Sequence, residues 1–429
     1  MSKIANLTPR CTDLVGEPEA VARQLSHLPH LVFFDTAGNL PNNHAPPISL
    51  VAANPVEILT GHLSETSHLK KSFATWQITE SQDYGFPTGG AFGWIDYDGH
   101  YTFGIYPEVL IYHHQTGQWW ETGNLSQQLR QNDFQPSYRI GPWEASLNQD
   151  EFCEAILKAK EYIASGDIYQ VNLSRRLRAH CEAPDGLFTL YLKLRDASPA
   201  PLAAYLKLSN REILSSSPET FLRFSGNQIE TRTIKGTRPR FADAQRDSKS
   251  AFDLQRSPKE TAELVMITDL LRNDIGQVCE YGSVQVIEML QLEKLQHVHH
   301  LVSTIRGTLR ENSSPIDVLS SCLPGGSITG APKKRATEII SELEPTPRGL
   351  YTGTLGYLGF NGESQFNIAI RTLIYEEGHL DYHVGAGIVA DSQPEAEFEE
   401  TEHKARGVRL ALSSCEPAAK SGRLQHLGE

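Results

Sequence analysis

Lys235 ends an alternating strand, FLRFSGNQIETRTI, and precedes a Gly-Thr-Arg-Pro-Arg turn. A primary amine at that rim can attack an electrophile, or it can lay its stem along the sheet and keep its ammonium in water. Glu219 follows the apolar run ILSSS within Ser-Pro-Glu. Partial burial there would raise its pKa toward the range of a general acid, and an exposed turn glutamate is the alternative. Glu260 and Glu263 are three apart on one helical segment, as are Glu397 and Glu400 on another. Residues at i and i+3 share a helix face, so each helix can aim two carboxylates at one point. Four converging carboxylates would call for a divalent cation, and an all-oxygen set suits Mg²⁺. The plainer reading is a solvated face, with Glu260 completing a capping box from Ser257.

Several other segments are suited to hold an anion. The loop PGGSITGAP, which contains Thr329 and Gly330, exposes backbone N–H groups at the start of a helix. It lacks the G-K-[ST] of a P-loop, and a plain N-cap loop would look similar. Gly385 and Gly387 permit close approach of a ligand to backbone donors, though glycines in strands also mark bulges. Arg371, with apolar neighbours in FNIAIRTLIY, reads as a strand residue that is paired inside or reserved for a carboxylate. Tyr351 offers a phenol donor or is a core residue with a satisfied hydroxyl.

The elements that must position these groups are mostly strands. Residues 1–140 read as short strands broken by Gly, Pro and Asn. A helix follows, with Asn148 and Glu151 as its capping box and Gly166 as its stop. The Ser-Gly-Asn of FLRFSGNQIETRTI predicts a hairpin that delivers Lys235. SPKETAELVMITDLLRNDIG predicts a long helix capped by Ser257, started by Pro258 and stopped at Gly276. The glycine loop feeds a helix at Pro332, three more strands follow, and a last helix begins near SQPEAEFEE. Residues 417–429 read as a disordered polar tail.

The chain has 429 residues, a formal charge of −13 and 39% hydrophobic residues. That charge repels phosphate backbones, which argues against nucleic acid as a partner. There is no apolar run of about 18 residues to span a bilayer and no signal-peptide core at the N-terminus, so a cytoplasmic protein without a membrane partner is expected. Six cysteines with no C-x-x-C spacing predict neither a disulfide framework nor a thiolate metal site, and they read as buried apolar fillers.

Taken in order, DIYQVNLSRR, SSSPETF, TIKGTRPR, KETAELVMITDLLRNDIG, VHHLVSTIRGTL, CLPGGSITGAPKKRA, RGLYTGTLGYL, FNIAIRTL and GAGIVADSQPEAEFEETEHKA resemble the motifs of the chorismate-utilising enzymes. The resemblance implies an α/β (α+β type) fold of two stacked, mostly antiparallel sheets wrapped by helices. It implies a catalytic region over about residues 145–410, preceded by a more loosely similar region over residues 1–140. It further implies chorismate as substrate and Mg²⁺ held directly by Glu263 and Glu400, with Glu260 and Glu397 on its waters. Tyr351, Arg371, Lys404, the N–H groups near Gly385 and Gly387, and the Thr329-Gly330 loop would receive the substrate, with His300 near its ring carboxylate. Glu219 would protonate the departing C4 hydroxyl.

Within the family, anthranilate-forming members are similar here but carry alanine where this chain has Lys235. A lysine belongs to the branch that makes 4-amino-4-deoxychorismate through a covalent adduct. Gln170 stands where water-adding isochorismate and salicylate synthases show a lysine base, and glutamine cannot deprotonate water. The alternatives are therefore an anthranilate-forming enzyme, then a water-adding one, then a non-catalytic chorismate-binding regulator. No glutaminase segment with a nucleophilic cysteine is evident, so ammonia from a separate glutamine amidotransferase subunit is implied. The L-L-E-S type signature of amino-acid-regulated members is missing, LVFFDTAG standing nearest, which leaves a regulatory pocket open.

Overall fold

Alternating apolar and polar residues pair into antiparallel ladders throughout the computed structural model, which describes residues 7–37, 47–78, 84–131, 138–184, 186–294 and 298–413. Among these residues there are two sheets, one of thirteen strands and one of nine. Phe34 of the first lies between Phe92 and Tyr357 of the second, each 5.8 Å away, in a core that also holds Trp94, Leu206 and Leu355. The sheets are thus stacked face to face. Helices Phe188–Ala197 and Pro394–Ser413 cover the outer face of the first sheet, and Pro258–Gly276 and Pro315–Cys322 that of the second. The α/β class and the stacked, antiparallel architecture are as expected.

Both sheets run across the junction between residues 140 and 145. Val32–Asp35 pairs with Leu202–Leu208, and Gly90–Ile95 pairs with Thr354–Gly359. The LVFFDTAG stretch contributes Asp35 and Thr36 to a cavity between the sheets, opposite Leu355, Tyr357 and Asn367. Among the described residues no helix is long and apolar enough to cross a membrane.

The punctuation read from sequence holds at most element ends. Asn148 and Glu151 form the capping box of helix Gln149–Ala164. Ser257 caps Pro258–Gly276, and Lys333–Leu343 begins directly after Pro332. The hairpin joins Thr220–Ser225 to Gln228–Pro239 through Gly226 at φ 57°.

One element differs. FNIAIRTLIY is not a single strand: Ser364–Asn367 belongs to the nine-stranded sheet and Thr372–Glu376 to the thirteen-stranded one. Residues 368–371 cross between the sheets, and Arg371 takes φ 52°, so it is a crossover residue and not a member of an alternating face. The segment holds no glycine or proline to announce the break. Helices Pro18–Gln24, Ser67–Ala74, Phe188–Ala197, Ala244–Gln255 and Pro315–Cys322 also go beyond the sequence reading. Cys181, Cys279 and Cys322 are buried as expected, whereas Cys11 is exposed and Cys153 half-buried. Cys415 and the tail over 417–429 lie outside the described residues.

Candidate active site

The site forms where the chain changes sheets twice, side by side. It leaves the first sheet after Ser217 and enters the second at Thr220, and it returns over residues 368–371. Ser217 Oγ donates to the Ile368 carbonyl at 2.6 Å, the Ile368 N–H donates to the Glu219 carbonyl at 3.0 Å, and the Ser216 N–H donates to the Arg371 carbonyl at 3.0 Å. These bonds bring Glu219 and Arg371 together from residues far apart in sequence. Glu219 is buried, with 8% of its surface exposed, and accepts hydrogen bonds from Thr233 Oγ1 at 3.2 Å and from the Ser327 hydroxyl. Burial raises its pKa against the opposing Lys235 ammonium, the two hydroxyl bonds and the Arg371 charge. A carboxyl held in this way keeps its proton to higher pH than an ordinary glutamate.

Lys235 lies two residues beyond Thr233 on the same strand face, half-buried and opposite Leu301. A bulge follows, because the register shifts between Lys235 and Thr237 and Gly236 takes φ 67°. The Lys235 ammonium is the leading opposite charge acting on both Glu219 and Glu263. The bulge also sets His300, whose Nδ1 donates to the Gly236 carbonyl at 3.3 Å and lies 3.0 Å from Thr237 Oγ1. Burial lowers the His300 pKa, so the ring is neutral with its Nε2 lone pair free to accept.

The glutamates come from two helices, as the spacing suggested. Glu263 is raised by burial and, after the relief from Lys235 and Lys259, by the charges of Glu260 and Glu397. Glu260 gives its N–H to Ser257 Oγ at 3.4 Å, and its Oε2 stands 3.0 Å from where a Cβ on Gly236 would lie. The capping box expected from sequence is only half made: Ser257 holds the Glu260 N–H, while the Glu260 carboxylate turns to the lysine bulge and not back to the Ser257 backbone. Glu397 accepts from Ser392 Oγ at 2.7 Å, while Glu400 is exposed and pairs with Lys404 at 2.7 Å. Among the described residues no three His, Cys, Asp or Glu side chains stand close enough together to hold a metal ion as they are. All four are hard oxygen donors, and the like charge that Glu260 and Glu397 exert on Glu263 is what a hydrated divalent cation would relieve.

Gln170, Gly385 and Gly387 meet on adjacent strands: Ser174 pairs with Gly385, and Asn172 with Gly387. A Cβ on Gly387 would lie 2.8 Å from Gln170 Nε2, and one on Gly385 would lie 2.6 Å from the Leu173 carbonyl and 2.9 Å from Tyr351 Oη. Glycine is therefore required at 385, where the contact is with backbone, while a side chain at 387 would displace the Gln170 amide. Gln170 is buried, and its Oε1 has no protein partner. Lys404 Nζ donates to the Gly385 carbonyl at 2.8 Å. Thr329 is buried and bonds back to the Gly325 carbonyl at 3.0 Å, while Gly330, at φ 145°, passes so close to Gln170 that a Cβ would lie 2.2 Å from that carbonyl. The Arg371 side chain is exposed, yet desolvation by the surrounding protein lowers its pKa, with Tyr382 and Glu219 opposing.

Several contributors were not singled out from sequence. Thr233 and Ser327 hold Glu219, and Lys333 ties the glycine-loop helix to Asp274 of the carboxylate helix at 2.7 Å. Arg348 and Glu344 form a buried pair beneath Tyr351. EPTPR reads as a polar loop, and the i, i+4 spacing of its two charges was the only available signal.

A family profile described as chorismate binding enzyme matches residues 43–409. The chain is 44% identical over 278 residues to anthranilate synthase component 1 of Streptomyces coelicolor, an alignment covering 65% of this chain and only 54% of that protein. It is 36% identical over 394 residues to aminodeoxychorismate synthase component 1 of Bacillus subtilis, covering 82% of this chain and 83% of the relative. The fold superposes on the crystal structure of anthranilate synthase component I from Streptococcus pneumoniae with a TM-score of 0.74 at 26% identity, covering 86% of this chain and 93% of that one.

Proposed function

The chain belongs to the chorismate binding enzyme family, and from that premise we propose that it acts as an aminodeoxychorismate synthase component I in the cytoplasm. The observation that carries this reading is the Lys235 amine, set by the Gly236 bulge within the electrostatic reach of Glu219. Lys235 Nζ, having given its ammonium proton to solvent, bonds through its lone pair to C2 of chorismate, and the two ring double bonds shift toward C4. The C4 hydroxyl leaves as water with the proton that Glu219 holds. Ammonia then bonds to C4, the double bonds shift back, and the C2–Nζ bond breaks to release the lysine. The product is 4-amino-4-deoxychorismate. Arg371, Tyr351, Gln170, His300, Lys404, the N–H groups near Gly385 and Gly387, and the Thr329-Gly330 loop orient the substrate. Glu260, Glu263, Glu397 and Glu400 would hold Mg²⁺, which when bound supplies a cation to anchor the ring carboxylate. The ammonia comes from a separate glutamine amidotransferase subunit.

Relatives named anthranilate synthase component 1 make anthranilate formation the second reading. Chromatography of the products from chorismate, Mg²⁺ and ammonium separates the two. Aminodeoxychorismate alone is expected, and anthranilate alone refutes the proposal. Lys235→Ala should abolish or divert amination while leaving chorismate binding intact. Unchanged aminodeoxychorismate output from that variant would remove the lysine from the mechanism.

A further inference from the structure

Under the proposed function Tyr351 receives part of the substrate, and its ring is itself held by a buried cation. Arg348 is 4% exposed. Its Nε donates to Glu344 Oε2 at 2.9 Å, and its Nη2 to Glu344 Oε1 and the Asn172 carbonyl, both at 2.7 Å. Its Nη1 donates to the Ile328 carbonyl at 3.1 Å and to Thr352 Oγ1 at 3.2 Å. Glu344 Oε1 also accepts from the Ser174 N–H at 2.7 Å. One guanidinium thereby joins the strand that carries Gln170, the glycine loop and the turn before strand Thr354–Gly359.

The connection continues to the phenol. Thr352 is held at φ 62°, and its hydroxyl, which accepts from Arg348, donates to the Tyr351 carbonyl at 2.5 Å. The Arg348 guanidinium carbon lies 5.7 Å from the Tyr351 ring centroid, while the His383 ring stacks on Tyr351 at 5.1 Å with an interplanar angle of 11°. His383 is buried, and neither of its ring nitrogens has a protein partner, so what it offers Tyr351 is a flat face. Backbone relay, cation and imidazole fix the ring, and its Oη points at Gly385.

We propose that Arg348 is a positioning residue for chorismate, acting through Tyr351. The inference rests on chorismate being the ligand of the proposed site. It predicts that removing the Arg348 fork matters only while the phenol is present. Chorismate is titrated calorimetrically, with Mg²⁺, into the unmodified protein, Arg348→Lys, Tyr351→Phe and the double variant. Arg348→Lys should raise Kd about tenfold, and adding it to Tyr351→Phe should raise Kd by less than about twofold, the non-additivity of coupled neighbours. At saturating chorismate the turnover of Arg348→Lys should stay within about twofold of the unmodified protein, as expected for a loss of uniform binding. Independent, multiplicative effects in the double variant would overturn the proposal, as would an unchanged Kd in Arg348→Lys. Should Arg348→Lys not fold, Thr352→Val removes only the relay hydroxyl and should raise Kd about threefold, again only when Tyr351 is present. Absence of chorismate binding by the unmodified protein would overturn the functional reading beneath, a result distinct from binding that ignores Arg348.

Discussion

Acidification should reveal His383. Burial pushes its pKa down to about 3, with Asp381 opposing and Arg348, Arg176 and Arg178 reinforcing. In the unfolded chain the same ring titrates near about 6.5. Between those values the unfolded chain binds a proton that the folded protein refuses, so the stability is fully present above about pH 6.5 and is lost as pH falls. Each unit of separation is worth about 1.4 kcal/mol, and from pH 7 to pH 5 this single ring should cost about 2 kcal/mol. The result is insensitive to the folded value as long as that value lies below 5. His383→Phe keeps a flat ring against Tyr351 and removes the proton site. Urea unfolding followed by tryptophan fluorescence at both pH values, for both proteins, isolates the effect, because other titrating groups cancel. The unmodified protein should lose about 2 kcal/mol more than His383→Phe. Equal losses would refute the argument.

Three further outcomes follow from the site. Gly236→Ala meets a left-handed backbone, Leu254 Cδ1 at 2.7 Å and Glu260 Oε2 at 3.0 Å, and should cost about 2 kcal/mol in urea unfolding while suppressing product formation. The raised pKa of Glu219 means that turnover at saturating chorismate should decline as pH rises through that value and its proton is lost, and Glu219→Gln should flatten that limb of the pH profile. Glu263→Gln should weaken Mg²⁺ binding about tenfold by calorimetry and reduce the effect of Mg²⁺ on chorismate affinity; a magnesium response identical to that of the unmodified protein would make the carboxylate helices purely structural.

Local chemistry was legible in the sequence wherever one residue type has one conformational use. The capping box at Asn148, the Ser257-Pro258 helix start and the Ser-Gly-Asn hairpin all stand as read. The carboxylate pairing was visible through helical periodicity, because i, i+3 spacing fixes a shared face. The crossover at Ile368 to Arg371 was not, since its apolar residues suit a strand and its bonds go to Ser216, Ser217 and Glu219, about 150 positions away. The Arg348 strut was hidden for the same reason. Charges flanking Pro-Thr-Pro look solvated until the carbonyls of Asn172 and Ile328 are brought to them.

The sharing of both sheets by the first 140 residues and the remainder has a consequence for biosynthesis. Val32 pairs early with Ala52 and Trp94 with Thr102, but the second neighbour of each, Leu206 and Leu355, leaves the ribosome much later. Until then the nascent protein displays strand borders able to template wrong pairings. Completion of both sheets therefore waits until the strands around Leu206 and Leu355 have emerged, and deleting the opening third would strip a neighbouring strand from Leu202–Leu208 and from Thr354–Gly359, leaving a sticky remnant.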